Sequence, residues 1–471
     1  MKIILYVMVI SYILIFSHIS INRIDNYDGM SAFDLAIPDQ GIWLMSNLKD
    51  PFVTVRGLHL FGDHTPYIYI LFVPLYWIFN SIKVLAAIQT IAIAVGAIGI
   101  YLVAEKTLKD KYSPLICAAL YLLQPATNFL NTDLLFSDAF ATPLLIFAYY
   151  FMITQRYSLS FGSSFLALMC KEDVAVTVLA FAAYAFITKH RRFAIALGVT
   201  AMAFFAINMS VMLPHFNGFG YFRNLYGYNA MGKLGPNPQT ALIKIANDPR
   251  LPYDILATED NKNYLLNMLG PLAFLPLLSL SAIMFAPQLI INIMSGYYYT
   301  HYIAYHYTAY VIPFMMIAFI NALSNIKRLK ILGLLAAIIA TIYFSTSIGG
   351  PYNMIKDRSY IMHSFDNKSA YVRNLDRMVD EIPINASASV SYMFLTHMAH
   401  RNQIYMFPNP FRYSYWGING ENLPDIKPDY LLIDDSTNNE KSLLQRLING
   451  TYDELDSKDG ITIYKKHGDV G

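Results

Sequence analysis

The sequence predicts an α-helical polytopic membrane protein of about eleven spans, closed by a small C-terminal α/β domain. Three observations predict it. Of 471 residues, 55% are hydrophobic and only 14% charged, against about 25% charged in ordinary soluble domains. Mean hydropathy is positive, at +0.38. The apolar residues collect into long runs, whereas the last stretch of the chain has a different, more polar composition. Folded in water, such a chain could not cover its surface with polar groups, which excludes an ordinary cytosolic enzyme. A net charge of +2, evenly spread, gives no footprint for nucleic acid. Cys117 and Cys170 both sit inside apolar runs and read as inert fillers rather than a disulfide framework.

A membrane-spanning helix needs about 20 mostly apolar residues. Runs of this kind fall near 3–21, 84–104, 112–124, 138–154, 158–170, 172–188, 193–213, 265–281, 283–297, 303–323 and 331–348. No small-residue cleavage site follows the first, so it reads as a retained span. The stretch 66–82 holds two prolines and many Tyr, Trp and Phe residues, which favour the water–lipid interface. If it lies along the interface and the N-terminus is cytoplasmic, the basic connections Lys106/Lys109/Lys111, Arg156, Lys189/Arg191/Arg192 and Lys327/Arg328/Lys330 all face the cytoplasm. If it spans, the first three clusters move outside, against the positive-inside tendency. The interfacial reading is therefore preferred.

This gives a transmembrane domain over 1–348, with outer loops 22–83 and 214–264, and an extracytoplasmic domain over 349–471. The segment 265–297 must turn near Phe285–Pro287 without a charged connection; read as one span, it would move the tail inside. Of four glycosylation sequons, at Asn208, Asn367, Asn385 and Asn449, three lie in the tail. Within the tail, SASVSYMFLTHMA and NQIYMFP read as strand, helix and strand. DYLLIDD is a buried strand ending in acids, and a hairpin turning at Asp459-Gly460 follows. The tail has no glycine-rich phosphate loop, no metal-spaced Cys/His cluster and no hydrolase elbow.

The chemistry-bearing residues gather at three places. The first outer loop carries Arg23, Asp25, Asp28, Asp34, Asp39, Gln40, Arg56, His59, Asp63 and His64. Phe33 to Gln40 begins an amphipathic helix or turn at the membrane surface, and Gly62 to Pro66 turns into the interfacial segment. Carboxylates at headgroup depth are costly unless paired, although a solvated loop would also account for any one of them. Lys171-Glu172-Asp173 lies between two apolar runs, on the same outer side as Asp133 and Asp138, and reads either as a polar hairpin turn or as part of a site. The third is Tyr297-Tyr298-Tyr299-Thr300-His301-Tyr302 with His306-Tyr307. It is an aromatic belt or a cavity wall in which His301 and His306 reach phosphate or sugar hydroxyls. The loop 214–264, with Asn217-Gly-Phe-Gly-Tyr-Phe and Tyr226-Gly-Tyr, is a long connection or a lid.

Phe33-Asp34-Leu35-Ala36-Ile37-x-Asp39-Gln40, Gly57-Leu58-His59-Leu60-Phe61-Gly62-Asp63-His64-x-x-Pro, the Lys171-Glu172-Asp173 turn, HRNQIYMFPNP and DYLLID resemble, in order along the chain, an uncharacterised prokaryotic family of predicted multi-pass membrane proteins. The chain departs from its pattern at Ala36, where glycine is usual, and near Phe136, where a histidine is replaced. The layout is more distantly similar to GT-C glycosyltransferases, which move sugar from a polyprenyl-phosphate carrier. By that resemblance Asp34 matches the acid of the first outer loop, Asp138 a second acid opening a later span, and Lys171 a lysine at a corresponding turn.

The resemblance implies Asp34 and Asp138 as catalytic acids, with Asp34 the general base. Lys171, with Arg23 or Arg56, meets the charge developing on the phosphate. Asp39 and His64 orient the sugar or hold a divalent cation, though no ligand set has metal spacing. Gln40, Glu172, Asp173, His301 and His306 complete the substrate-binding candidates. The implied partners are the bilayer of a prokaryotic cell membrane, a polyprenyl-phosphate-linked sugar and an unidentified acceptor, with no nucleic acid. The alternatives are a transporter or flippase, against which stands the lack of charged residues in mid-span, and a non-catalytic membrane scaffold.

Overall fold

The computed structural model describes residues 1–28, 32–133, 135–218, 232–235, 238–347, 368–417 and 421–467. It divides into two compact units. The first comprises Met1–Ser20, His64–Ile68 and Ala86–Ser364, the second Ile21–Asp63, Tyr69–Leu85 and Phe365–Gly471.

The first unit is mostly helical. Among the described residues of the chain, five helices are long and apolar enough to cross a membrane: Lys2–Asp25, Ile82–Leu108, Arg191–Asn217, His306–Asn325 and Lys327–Ser347. They differ in what covers them. The apolar window of His306–Asn325 is 83% buried inside the protein, and every residue from 314 to 320 is fully buried, so this is the central helix. The window of Arg191–Asn217 is equally apolar in character but only 17% buried. An apolar face that large would be costly against water and is at home against lipid.

Shorter apolar helices fill the remaining runs: Ser113–Leu123, Asp138–Ile153 and Val174–Ile187, with Tyr157–Leu168 between the last two. Pro125 ends the first of these at an extended Gln124 and starts a new helix, Pro125–Thr132, because proline cannot donate to the preceding turn. Close approach is set by glycine at Gly96, where an added Cβ would fall 2.5 Å from the Tyr121 hydroxyl.

The span expected over 265–281 is not a continuous helix. Glu259–Leu269 is helical, but Gly270–Leu272, Leu275–Leu278 and Leu280–Met284 are separate 3-10 turns. Pro271 and Pro276 remove ladder donors, and Ala273 and Phe274 take left-handed φ values of 50° and 57°. Helix resumes at Ala286–Met294. The stretch 66–82 is likewise no full span: it forms a 3-10 segment, Tyr67–Phe72, and a six-residue helix, Val73–Ile78.

The second unit joins the early loop to the tail. Strands β1 (Phe52–Val53) and β2 (Leu58–His59) pair antiparallel. The tail adds β3 (Ala388–Val390), β4 (Ile404–Met406), β5 (Tyr430–Asp434), β6 (Tyr452–Lys458) and β7 (Ile461–Lys466), in the spatial order β4-β3-β5-β7-β6. β3 runs parallel to β4 and β5, and β7 antiparallel to β5 and β6. Helix Lys441–Ile448 lays Leu444 on Leu431, Ile433, Tyr452 and Tyr464. The β6–β7 hairpin turns at Asp459 and Gly460 with φ values of 56° and 79°, the double left-handed turn that matches strand twist.

The β1–β2 loop docks on this sheet. Thr54 Oγ1 accepts from the Ile404 amide at 2.9 Å and donates to the Ile404 carbonyl at 2.8 Å. Gly417 N–H donates to the Arg56 carbonyl, and the Trp416 ring covers Gly57, which has φ +71°. A Cβ there would lie 2.4 Å from the indole, so only glycine fits.

Candidate functional site

In the first unit, the Lys171-Glu172-Asp173 turn links helices Tyr157–Leu168 and Val174–Ile187. A solvated hairpin would leave its charges in water; instead Glu172 is fully buried and Lys171 only 4% exposed. Buried charges must be paired and hydrogen-bonded, and the neighbouring segment supplies the bonds. Thr65 donates its amide to Glu172 Oε2 at 3.0 Å and its hydroxyl at 3.3 Å. His64 Nδ1 lies 2.7 Å from Glu172 Oε1. Ile68 N–H donates to the Met169 carbonyl, tying the strap to the turn. Because Glu172 accepts at both oxygens, it reads as an ionised acceptor that fixes His64 with its Nδ1–H inward.

Lys171 Nζ faces Asp138 Oδ1 at 3.4 Å and Asp173 Oδ2 at 3.9 Å, and sits 5.6 Å from the Tyr307 ring centroid. These are long for charge-assisted bonds, which run about 2.7–2.9 Å, so the ammonium is held by several groups and gripped tightly by none of these. Asp138 opens helix Asp138–Ile153, where the helix dipole favours an anion, and accepts the Tyr310 hydroxyl at 2.5 Å. Asp133 Oδ2 accepts the His306 amide at 2.8 Å and faces its Nδ1 at 3.3 Å. Phe136 stacks on that imidazole, with ring centroids 3.7 Å apart. Four carboxylates, Asp133, Asp138, Glu172 and Asp173, thus surround one lysine and two histidines. The His64 side chain is 38% exposed, so this imidazole has room to meet a ligand.

The second unit holds the loop candidates. Asp34 lies in the first turn of helix Ala32–Ser46 and is exposed. Asp39, on another face of the same helix, is 1% exposed. It accepts from the Tyr76 hydroxyl at 2.5 Å and His400 Nε2 at 2.8 Å. Burial alone would lower the His400 pKa, but the Asp39 charge and the bond to it raise it above the ordinary value. Gln40 donates to Thr54 Oγ1 and the Arg401 carbonyl and accepts from the Val55 amide. Arg56 donates to the Tyr415 and Gly417 carbonyls and pairs with Asp63, and Arg23 pairs with Asp28. Gln40 and Arg56 therefore fasten the loop to the tail.

The structure thus brings His64, Asp138, Lys171, Glu172, Asp173 and His306 together in one unit. His301 stands in the 3-10 turn Tyr298–His301, half-buried, and its Nδ1 meets no hydrogen-bond partner among the described residues. The glycine- and tyrosine-rich core of the suspected lid, 219–231, lies outside the described residues. Among the described residues no group of three or more His, Cys, Asp or Glu side chains has metal-holding geometry. Sequence reasoning missed Thr65, Tyr310 and His400: Thr65 and His400 lie inside segments that stand out as motifs and Tyr310 inside an apolar run, and only the folded contacts give each its partner.

Residues 28–463 match the family model described as "Predicted membrane protein (DUF2079)". In fold the chain is similar to the crystal structure of ArnT from Cupriavidus metallidurans in the apo state. The identity is 10%, the TM-score 0.51, and the match covers 91% of this chain and 92% of that one. The likeness to GT-C architecture therefore holds at the level of fold. No curated protein matches the sequence significantly.

Proposed function

The chain belongs to the DUF2079 family of predicted membrane proteins, and from that premise we propose that it is a membrane glycosyltransferase of GT-C type, moving a sugar from a polyprenyl-phosphate carrier to an acceptor. The supporting observation is the buried cluster around Lys171 and the His64–Glu172 pair, carried on a fold similar to that of ArnT. In this reading the chain has about eleven spans in a prokaryotic cell membrane, with the N-terminus in the cytoplasm and the tail outside. The donor's lipid stays in the bilayer and its phosphate comes to headgroup depth.

Asp34 acts as the general base. It takes the proton of the acceptor hydroxyl; the new C–O bond forms at the anomeric carbon as the bond to the phosphate oxygen breaks, and that electron pair leaves with the phosphate. Lys171 and His64 meet the charge developing there, and cations oriented in advance supply much of the rate enhancement in many such reactions. Asp138, Glu172 and Tyr310 position those cations. The acceptor is any envelope hydroxyl or amine that reaches the same depth.

The test is transfer of labelled sugar by the purified protein in nanodiscs. Asp34→Asn keeps the size of the side chain and, in protein that still folds, should lower transfer by about 10²–10⁴-fold, the usual contribution of a positioned base. Full transfer by that variant ends the assignment.

A further inference from the structure

The second unit contains a cavity of about 240 Å³ bounded in part by Val379, Asp380, Pro383, His397, Met398 and Arg401. It lies wholly within the tail, and the transfer reaction does not use it. Its wall carries a charge that the fold leaves unbalanced. Arg401 is 6% exposed. It donates to the carbonyls of Pro383, Ala386 and Ile382, its Nε has no hydrogen-bond partner, and no carboxylate pairs with it among the described residues. Burial, with no anion to oppose it, lowers its pKa to about 10. Carbonyl dipoles orient a guanidinium but do not neutralise it, and an isolated buried charge is costly.

His397 stands in the same wall. Its ring stacks on Tyr27, with centroids 3.7 Å apart, and neither ring nitrogen has a hydrogen-bond partner among the described residues. Burial pushes its pKa down to about 4, so at neutral pH the imidazole offers one N–H donor and one acceptor. His400, also in the wall, is already committed to Asp39 through Nε2. The rest of the wall is largely aliphatic: Val379, Ile382, Pro383, Ile384 and Met398.

We propose that this cavity is a binding site for a small organic carboxylate, whose anion balances Arg401 and accepts from His397 while its carbon body lies on the aliphatic wall. One uncompensated cation calls for a monoanion rather than a phosphate dianion, particularly with Asp380 in the lining. The volume is below the 300–1,000 Å³ of drug-sized pockets, which limits the occupant to a few carbons. An aliphatic wall favours an acid with an alkyl body over a sugar.

The test is calorimetric titration and thermal melting of the full-length protein in detergent, free of carboxylate buffers, with butyrate, butyramide and inorganic phosphate. Butyrate should bind saturably at one site and raise the melting temperature, and butyramide, which has the same shape without the charge, should bind at least tenfold more weakly. Ile384 lines the cavity and is 64% exposed, so Ile384→Glu adds a negative charge there without disturbing the core and should weaken butyrate at least tenfold. His397→Phe keeps the stack on Tyr27, removes the nitrogens, and should weaken it as well. Absence of saturable butyrate binding overturns the proposal, as do equal binding of butyramide, unchanged affinity in Ile384→Glu, and binding of phosphate in preference to butyrate.

Discussion

His64 and Glu172, 108 positions apart in the chain, meet at 2.7 Å, the carboxylate fully buried and the imidazole still 38% exposed. A buried acid that meets Nδ1 fixes the orientation of the ring. Groups that act as one unit give non-additive losses. His64→Asn and Glu172→Gln should therefore each lower transfer by about 10²-fold or more, and the double variant should be no worse than the poorer single one. Independent, multiplying losses in steady-state kinetics would mean that the two do not act together.

Lys171 and Asp138 have side-chain exposures of 5% and 3%, so solvent screens them little. Removing one partner from such a pair costs about 3–5 kcal/mol, because the other charge is left buried. Asp138→Asn should be destabilised on that scale, and Asp138→Leu with Lys171→Met should recover most of it. Unfolding of the purified variants in detergent gives the comparison; a double variant as weak as the single one would show that the pairing is not what matters.

Thr54 is 8% exposed and makes three hydrogen bonds, one with Gln40 and two that join the early loop to the tail strand at Ile404. Thr54→Val keeps the shape but leaves the Gln40 amide and the Ile404 backbone without that partner. The expected cost is about 1–3 kcal/mol, read as a lower melting temperature and faster proteolysis of the tail. A neutral effect would mean that the loop and tail are held by other contacts.

His400 gives the second unit a pH dependence. Its folded pKa is raised above 6.5 by Asp39, despite burial. A raised pKa adds stability that is fully present below the unfolded value and lost as pH rises through the folded one. Melting temperatures of wild type and His400→Gln should therefore differ most below pH 6.5 and converge as pH climbs above it. A gap that widens with rising pH would reverse the sign and refute the pairing.

Much of this architecture is legible in local sequence. Hydropathy places the long helices, and Asp459-Gly460 between alternating strands marks the hairpin that closes the sheet. Local pattern fails where proline and left-handed residues break an apolar run, as between Gly270 and Met284. It also fails for contacts across long distances. Nothing near Thr54 announces Ile404, 350 residues away, and nothing near Tyr310 announces Asp138, 172 away. The acids and the lysine of the site are visible as unusual charges beside apolar runs, but their pairing is a property of the fold. Asp39 and Arg56 look like site residues for the same reason, and inside the second unit they bind protein groups instead.

The most direct measurement of the functional claim is consumption of a radiolabelled polyprenyl-phosphate sugar by the protein in nanodiscs, comparing wild type with Lys171→Met. Wild type should release polyprenyl phosphate in step with acceptor labelling, and the folded variant should lose about 10²–10³-fold of that rate, the loss seen when one oriented charge donor is removed. Undiminished turnover in Lys171→Met, or a wild-type protein that leaves a panel of such donors untouched, would contradict the account.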